Sequence, residues 1–252
     1  PGWQQTWTMI AAAAVGVIVI VAIAVAALGK KDRDGSSDGN SASRGGSPIG
    51  GGATPRGGEN PNGQVNGEIR PVLYVVPSRG VWKNDYLPVK KRLEDRGVKV
   101  VTASGDGGAA LVHDGNGETI NVDKRLDEVK AAEYSGIVFG GFRIDEYIAG
   151  GPHSAQAGRL IDNFREQKKP VSAICIGLGV LVSHDVLKGK RAAKSFALKE
   201  HYPRLEGGVA WVSEDVVTAQ DGPEGSSKLI TAAGPEHASS FATALLKALG
   251  ER

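Results

Sequence analysis

The chain contains a single cysteine, Cys175, in the run PVSAICIG at 170–177. Apolar residues lead up to the sulfur, and a glycine two residues later opens a second apolar stretch, 178–187, of helical length. This is the sequence form of a nucleophile elbow. A thiol at a sharp strand-to-helix turn is pushed clear of the sheet, and the following helix's N-terminus lies beside it, where dipole and free N–H groups favour the thiolate. Such a sulfur attacks carbonyl carbon, and the same N–H groups can hold the oxyanion that forms. The plain alternative is a small core hydrophobe, because free cysteine is among the most buried residue types.

An elbow needs a sheet to leave and a helix to enter, and the surrounding pattern supplies both. From residue 70 onward, short apolar β-branched runs alternate with amphipathic stretches of helical length, the α/β signature. Strands are expected at 72–76, 98–103, 136–139 and 171–174, and later at 209–212, 216–218 and 229–231. Helices are expected over 85–96, closed by Gly97, over 154–167 with Ser154 as N-cap, over 178–187, and over 235–249. Lys124 to Val129 suggests a short capped helix. The stretch 107–122 stays ambiguous, with a hairpin around Asp114-Gly115-Asn116-Gly117 as one solution. In open parallel sheets, ligands bind at the C-terminal ends of strands. Cys175, the pair Gly140-Gly141 and the loop after Val76 all fall on that edge.

The rest of the chain differs in composition. Residues 9–28 form an uncharged apolar run of about 20 residues, which at about 1.5 Å per residue spans roughly 30 Å, a bilayer's hydrocarbon core. It reads as a transmembrane helix, with Trp3 and Trp7 as an interfacial belt and Lys30, Lys31 and Arg33 as a stop-transfer flank. The alternative is a cleaved signal peptide. The basic flank favours a single-pass protein with its globular domain on the cytoplasmic side. Residues 29–69 are Gly/Ser/Asn/Pro-rich with almost no apolar side chains, the composition of a flexible tether. The domain then runs over 70–252. A net charge of +2 for 252 residues, with no basic stripe, gives no ground for a nucleic-acid partner.

Ordered along 70–249, the segments PSRG and YLPVKKRLEDRGVKVVTAS, DEVKAAEYSGIVFGGF, LIDNFREQKKPVSAICIG, SEDVVTAQ and LITAAGPEHASSFATALLKAL resemble the ThiJ/PfpI superfamily. The resemblance implies a class I glutamine-amidotransferase-like fold: a flavodoxin-like three-layer α/β/α sandwich with a mostly parallel sheet. It implies a nucleophile at Cys175, oxyanion donors from the Ile176 backbone and the Gly140-Gly141 loop, and a carboxylate from the first loop against the thiol. It also implies a small-molecule substrate, no cofactor, and a homodimer as in many members.

The chain departs from that pattern in four places, one of them Phe139, which stands where the family carries a proline before the double glycine. Asn84 stands where the family places its glutamate, with Asp85 next to it; either Asp85 takes the role from a shifted loop or the site lacks its acid–base partner. Ile176 follows the cysteine where peptidase members carry histidine. In the later loop the family's histidine position falls near Ser195, with His201 six residues on as the nearest imidazole. Arg143, just past the double glycine, either lines the pocket or forms a surface pair with Asp145. His184 reads as a helix C-cap, His113 and His153 as loop residues, and His237 as a solvated residue at the start of the last helix. Histidines at i, i+4 and cysteine pairs are both lacking, so no metal site is expected. Two functions fit: a cysteine-dependent hydrolase or glyoxalase/deglycase-like enzyme of small carbonyl or amide substrates, or a redox-sensing or binding module that turns nothing over.

Overall fold

A computed structural model describes residues 64–65 and 68–250. The transmembrane helix read over 9–28 lies outside the described residues, as does most of the tether; among the described residues no helix is long and apolar enough to cross a membrane. The end of the tether is structured. Gln64–Val65 (β1) pairs antiparallel with Glu68–Ile69 (β2).

The domain is built on a seven-stranded sheet. Its strands are Val72–Val75 (β3), Val100–Ser104 (β5), Lys124–Arg125 (β8), Gly136–Phe139 (β9), Val171–Ile174 (β10), Val216–Gln220 (β13) and Lys228–Ala232 (β14), in the order β13-β14-β10-β9-β3-β5-β8. All neighbours are parallel except β13, which runs antiparallel to β14. The result is a mostly parallel α/β fold of the flavodoxin kind. Strands β3, β9 and β10 are buried at every position, which is why they read as unbroken apolar runs rather than alternating ones.

The helices cover this sheet. Lys83–Glu94 (α1) buries Asp85, Tyr86, Val89 and Leu93 and packs along Ala238–Ala248 (α5), which buries Phe241, Leu245 and Leu246. Each large apolar side chain so buried contributes about 1.5–3 kcal/mol. Ser154–Glu166 (α2) packs on β9 and β10 through Leu160, Ile161 and Phe164. Leu178–Ser183 (α3) follows the elbow. A smaller sheet, Arg79–Val81 (β4), Ala109–Val112 (β6) and Thr119–Asn121 (β7), settles the ambiguous stretch as a hairpin whose turn puts Asp114, Asn116 and Gly117 at positive φ. Arg191–Ala193 (β11), Phe196–His201 (α4) and Ala210–Val212 (β12) complete the chain; β11 and α4 carry no periodic signal long enough to read.

Three expectations need correction. Lys124 to Val129 is not a capped helix: its first two residues pair with β5 and only Leu126–Glu128 turns, as a 3-10 helix. Ser154 begins α2 but does not cap it; His153 occupies the cap position without a side-chain bond. The elbow helix stops at Ser183, one short stretch rather than ten residues.

A buried ion cluster ties α2 to the sheet edge. Asp221 accepts from Arg165, whose Nη2 lies 3.2 Å from Oδ1, and from Ser227 Oγ at 3.1 Å, with Lys190 Nζ 3.3 Å from Oδ1. Burial pushes the Asp221 carboxyl up, but the Arg165, Ser227 and Lys190 contacts outweigh it and hold it below the ordinary carboxylate range. Its stabilisation is therefore present at neutral pH and lost as pH falls through that lowered value. Asp221→Asn is expected to cost about 1–3 kcal/mol at pH 7, with the difference from the parent shrinking in denaturant titrations below pH 4. An unchanged midpoint at pH 7 would show the cluster contributes nothing.

Candidate active site

Strand β10 ends at Ile174, and the chain turns at once. Cys175 adopts φ +56°, a left-handed conformation that a non-glycine residue takes only when its surroundings enforce it. Cys175–Gly177 then forms a 3-10 turn into α3. A Cβ on Gly177 would lie 2.3 Å from the Phe139 carbonyl oxygen, so only glycine lets the elbow press against the end of β9. Cys175 lines a cavity of about 400 Å3 together with Lys194, Phe196, Asp215, Glu236 and His237 among others.

Burial, and then the charge of Asp85, push the thiol up to about 12, against the Ile176 N–H and the Ser195 hydroxyl, which favour the thiolate. Burial thus works against the thiolate expected at the helix terminus, and the Ile176 N–H works for it. The reason burial prevails is length and depth: α3 spans only six residues, and Cys175 is 7 % exposed, so desolvation outweighs what a short helix's N–H groups return.

Asp85, not Asn84, is the carboxyl whose charge acts on the sulfur. In the first turn of α1 it faces inward and is wholly buried, whereas Asn84 points to solvent. Neither Asp85 oxygen makes a hydrogen bond of ordinary geometry. Burial raises the carboxyl to about 8, partly offset by the backbone N–H groups of Gly141, Asp85 and Tyr86. Beside it lies the Tyr74 hydroxyl, also buried and unpartnered, and raised by burial, by Asp85, by Tyr86 and by Cys175. The Tyr74 ring meets Tyr86 edge-on at 5.1 Å, and Tyr86 in turn shares a 2.7 Å hydrogen bond with Thr102. The double glycine closes this wall: a Cβ on Gly140 would lie 2.4 Å from the Tyr74 oxygen, and Gly141, at φ +111°, presses on Pro77.

The remaining sequence candidates lie apart. His201 lines a separate cavity with Tyr202 and Leu205, its ring edge-on to Phe142 at 4.6 Å. Phe142 stacks in turn on His113 at 3.9 Å. Arg143 opens on a third cavity, of about 430 Å3, its Nε 3.9 Å from Asp145. His184 caps α3 as read, with Nε2 2.9 Å from the Tyr147 carbonyl. His237, read as solvated, is part-exposed and also lines the Cys175 cavity. Ser195 is the residue whose importance the sequence understated: it caps α4 through the Leu198 N–H and also reaches the sulfur. Asp106, Glu146 and His153 bring three ligand-type atoms within 4.8 Å of one another, held by Ser78 to Glu146 and by Asp106 to His153.

The pattern that defines the DJ-1/PfpI family matches residues 72–248, from the first sheet strand to the last helix. The chain belongs to the DJ-1/PfpI family. Among relatives, deglycase PfpI of Pyrococcus furiosus is 31% identical over 126 residues, 50% of this chain and 72% of its own. Protein/nucleic acid deglycase 2 of Escherichia coli is 26% identical over 156 residues, 61% of this chain and 83% of its own. The crystal structure of a ThiJ/PfpI domain protein from Brachyspira murdochii superposes with a TM-score of 0.62 at 24% identity, over 74% of this chain and 99% of that one. Drosophila melanogaster DJ-1beta gives 0.59 at 23%, over 73% and 92%. These two structures share the fold.

The buried carboxyl sets a pH dependence of stability. Asp85 binds its proton more tightly folded than unfolded, where its value is near 3.8, so folding stability falls as pH rises from about 4 to about 8. Asp85→Asn mimics the neutral form. It is expected to match the parent near pH 4 and exceed it by on the order of 3–5 kcal/mol at pH 8–9, read by urea unfolding across that range. A variant no more stable than the parent at pH 9 would mean the carboxylate finds a partner after all.

Proposed function

We propose that this domain is a cysteine-dependent enzyme acting on small carbonyl compounds, in the manner its deglycase relatives are named for. The observation that carries this reading is the conjunction of a left-handed Cys175 lining an open cavity with a buried carboxyl whose proton affinity lies near neutral pH. A thiol held at about 12 is a poor nucleophile unless its proton leaves as the bond to carbon forms. Asp85, at about 8, is suited to take it, because a base works best near the operating pH. Sulfur then adds to the carbonyl carbon, the Asp85 carboxylate receives the thiol proton, and the oxyanion meets the Ile176 N–H and the Gly140-Gly141 loop. In a 1,2-dicarbonyl the proton on the sulfur-bearing carbon then moves to the neighbouring carbonyl carbon, giving a thioester that water hydrolyses to a 2-hydroxy acid with release of the sulfur. A peptidase reading is weaker: Asp85, the Ile176 N–H, Glu236 and Ser195 bear on the sulfur, and none is an imidazole.

A second reading, a redox-sensing or binding module, is favoured by one fact, the neutral and nearly sealed thiol. Kinetics on methylglyoxal and on glycated amines separate the two. The enzyme reading expects turnover that rises with pH through about 8 as Asp85 ionises, a rise missing in Asp85→Asn, and a loss of at least ~10³-fold in Cys175→Ala. Turnover unaffected by Cys175→Ala, or none in the parent, leaves the module reading.

A further inference from the structure

The cavity above Cys175 has a histidine on its wall, contributed by a loop the elbow does not include. Strand β14 runs beside β10 in register, Ile174 opposite Ala232, so the residues that follow each strand emerge side by side at one sheet edge. After Ile174 comes the nucleophile. After Ala232 come Ala233 and Gly234, then Pro235–His237 in a 3-10 turn that leads into α5. Gly234, Pro235, Glu236 and His237 line the same cavity as Cys175. Glu236 folds back so closely that a Cβ on Gly234 would lie 2.6 Å from its carboxylate, and its charge is felt at the sulfur.

The ring of His237 is held on one side only. Nε2 lies 3.2 Å from Glu236 Oε1 and 3.5 Å from Asp215 Oδ1, while the side chain is 23 % exposed. Two carboxylates on one nitrogen fix the ring's orientation and leave Nδ1 to meet a ligand. Lys194, the cavity's other cation, sits with Nζ 5.7 Å from the Phe196 ring centroid, and as an ammonium it offers charge but no exchangeable role as base. Asp85 is sealed from the cavity, so it serves the sulfur and not the far side of a bound molecule.

We propose that His237 is the acid–base residue for the substrate oxygen in the reaction at Cys175, an inference that rests on reading Cys175 as a nucleophile. As the sulfur–carbon bond forms, the carbonyl π pair moves onto oxygen. The thiol proton passes to Asp85, and the oxygen takes a proton by way of the His237 ring. In a 1,2-dicarbonyl the ring then carries the proton from the sulfur-bearing carbon to the neighbouring carbonyl carbon, which turns the adduct into a thioester, and water hydrolyses that to a 2-hydroxy acid while the sulfur regains its proton. No oxidant or reductant is consumed. The substrates suited to this arrangement are small aldehydes and 1,2-dicarbonyls, whose oxygen can reach the wall while the carbon stays on the sulfur.

The test compares the parent, His237→Ala, His237→Gln and Cys175→Ala for methylglyoxal turnover and for the rate of Cys175 alkylation by iodoacetamide. Both His237 variants are expected to keep the alkylation rate within about twofold and to lose roughly 10²–10⁴-fold in kcat. Added imidazole should restore His237→Ala and not His237→Gln. Turnover of His237→Ala within about threefold of the parent, with Cys175→Ala inactive, overturns the role of His237 and leaves the nucleophile standing. Loss without imidazole rescue, or with slowed alkylation, assigns the ring to the fold and overturns it as well. A Cys175→Ala variant as active as the parent, or an inactive parent, removes the nucleophile and the inference together.

Discussion

A left-handed residue pressed against the end of a neighbouring strand is the constraint on which this molecule turns. Cys175 holds φ +56° because β10 is paired on both sides and Gly177 seats on the Phe139 carbonyl. The strain of one such residue is of order 1–3 kcal/mol, and the surrounding packing must over-determine it. The packing does so with glycines at three contacts: Gly177 on the strand end, Gly140 on Tyr74, and Gly141 on Pro77. Each removes a Cβ that would push the sulfur, the tyrosine or the first loop out of reach of the others.

The same closeness decides the electrostatics. Desolvation dominates at Cys175, Asp85 and Tyr74 alike; the charge of Asp85 makes both Cys175 and Tyr74 harder to ionise, and Cys175 does the same to Tyr74. The site at rest is therefore a neutral cluster, with its protons in place and few hydrogen bonds among them. Chemistry in such a cluster proceeds by moving one proton while a bond forms, since a standing thiolate would be an uncompensated charge in an apolar wall. The cavity side is different. Lys194, Asp215, Glu236 and His237 are in contact with solvent, so charge there is inexpensive and exchangeable.

The central strands, the elbow, the double glycine and the main helices were legible because each has a local cause: fully apolar strands, amphipathic spacing in α2 and α5, and a thiol between a β-branched run and a glycine. The choice of Asp85 over Asn84 was not legible, because a single residue's rotation about α1 depends on Tyr86, Val89 and Leu93 meeting α5, a contact far away in sequence. Ser195 and His237 escaped for a related reason. Both belong to short elements, α4 and the turn before α5, whose place is set by neighbours in the sheet and not by periodicity. Register, in particular Ile174 opposite Ala232, is what brings a histidine sixty-odd residues downstream to the same cavity.

Ser195 joins two tasks in one oxygen. Its lone pair accepts the Leu198 N–H and so begins α4, while the same hydroxyl favours the thiolate form of Cys175. The two bonds reinforce each other through the same atom, so the first turn of α4 and the charge on Cys175 are thermodynamically linked. Removing that one oxygen, as in Ser195→Ala, would take the cap from α4 and the polar group from beside the sulfur together. The start of a peripheral helix and the ionisation of the buried thiol thus answer to a single hydroxyl.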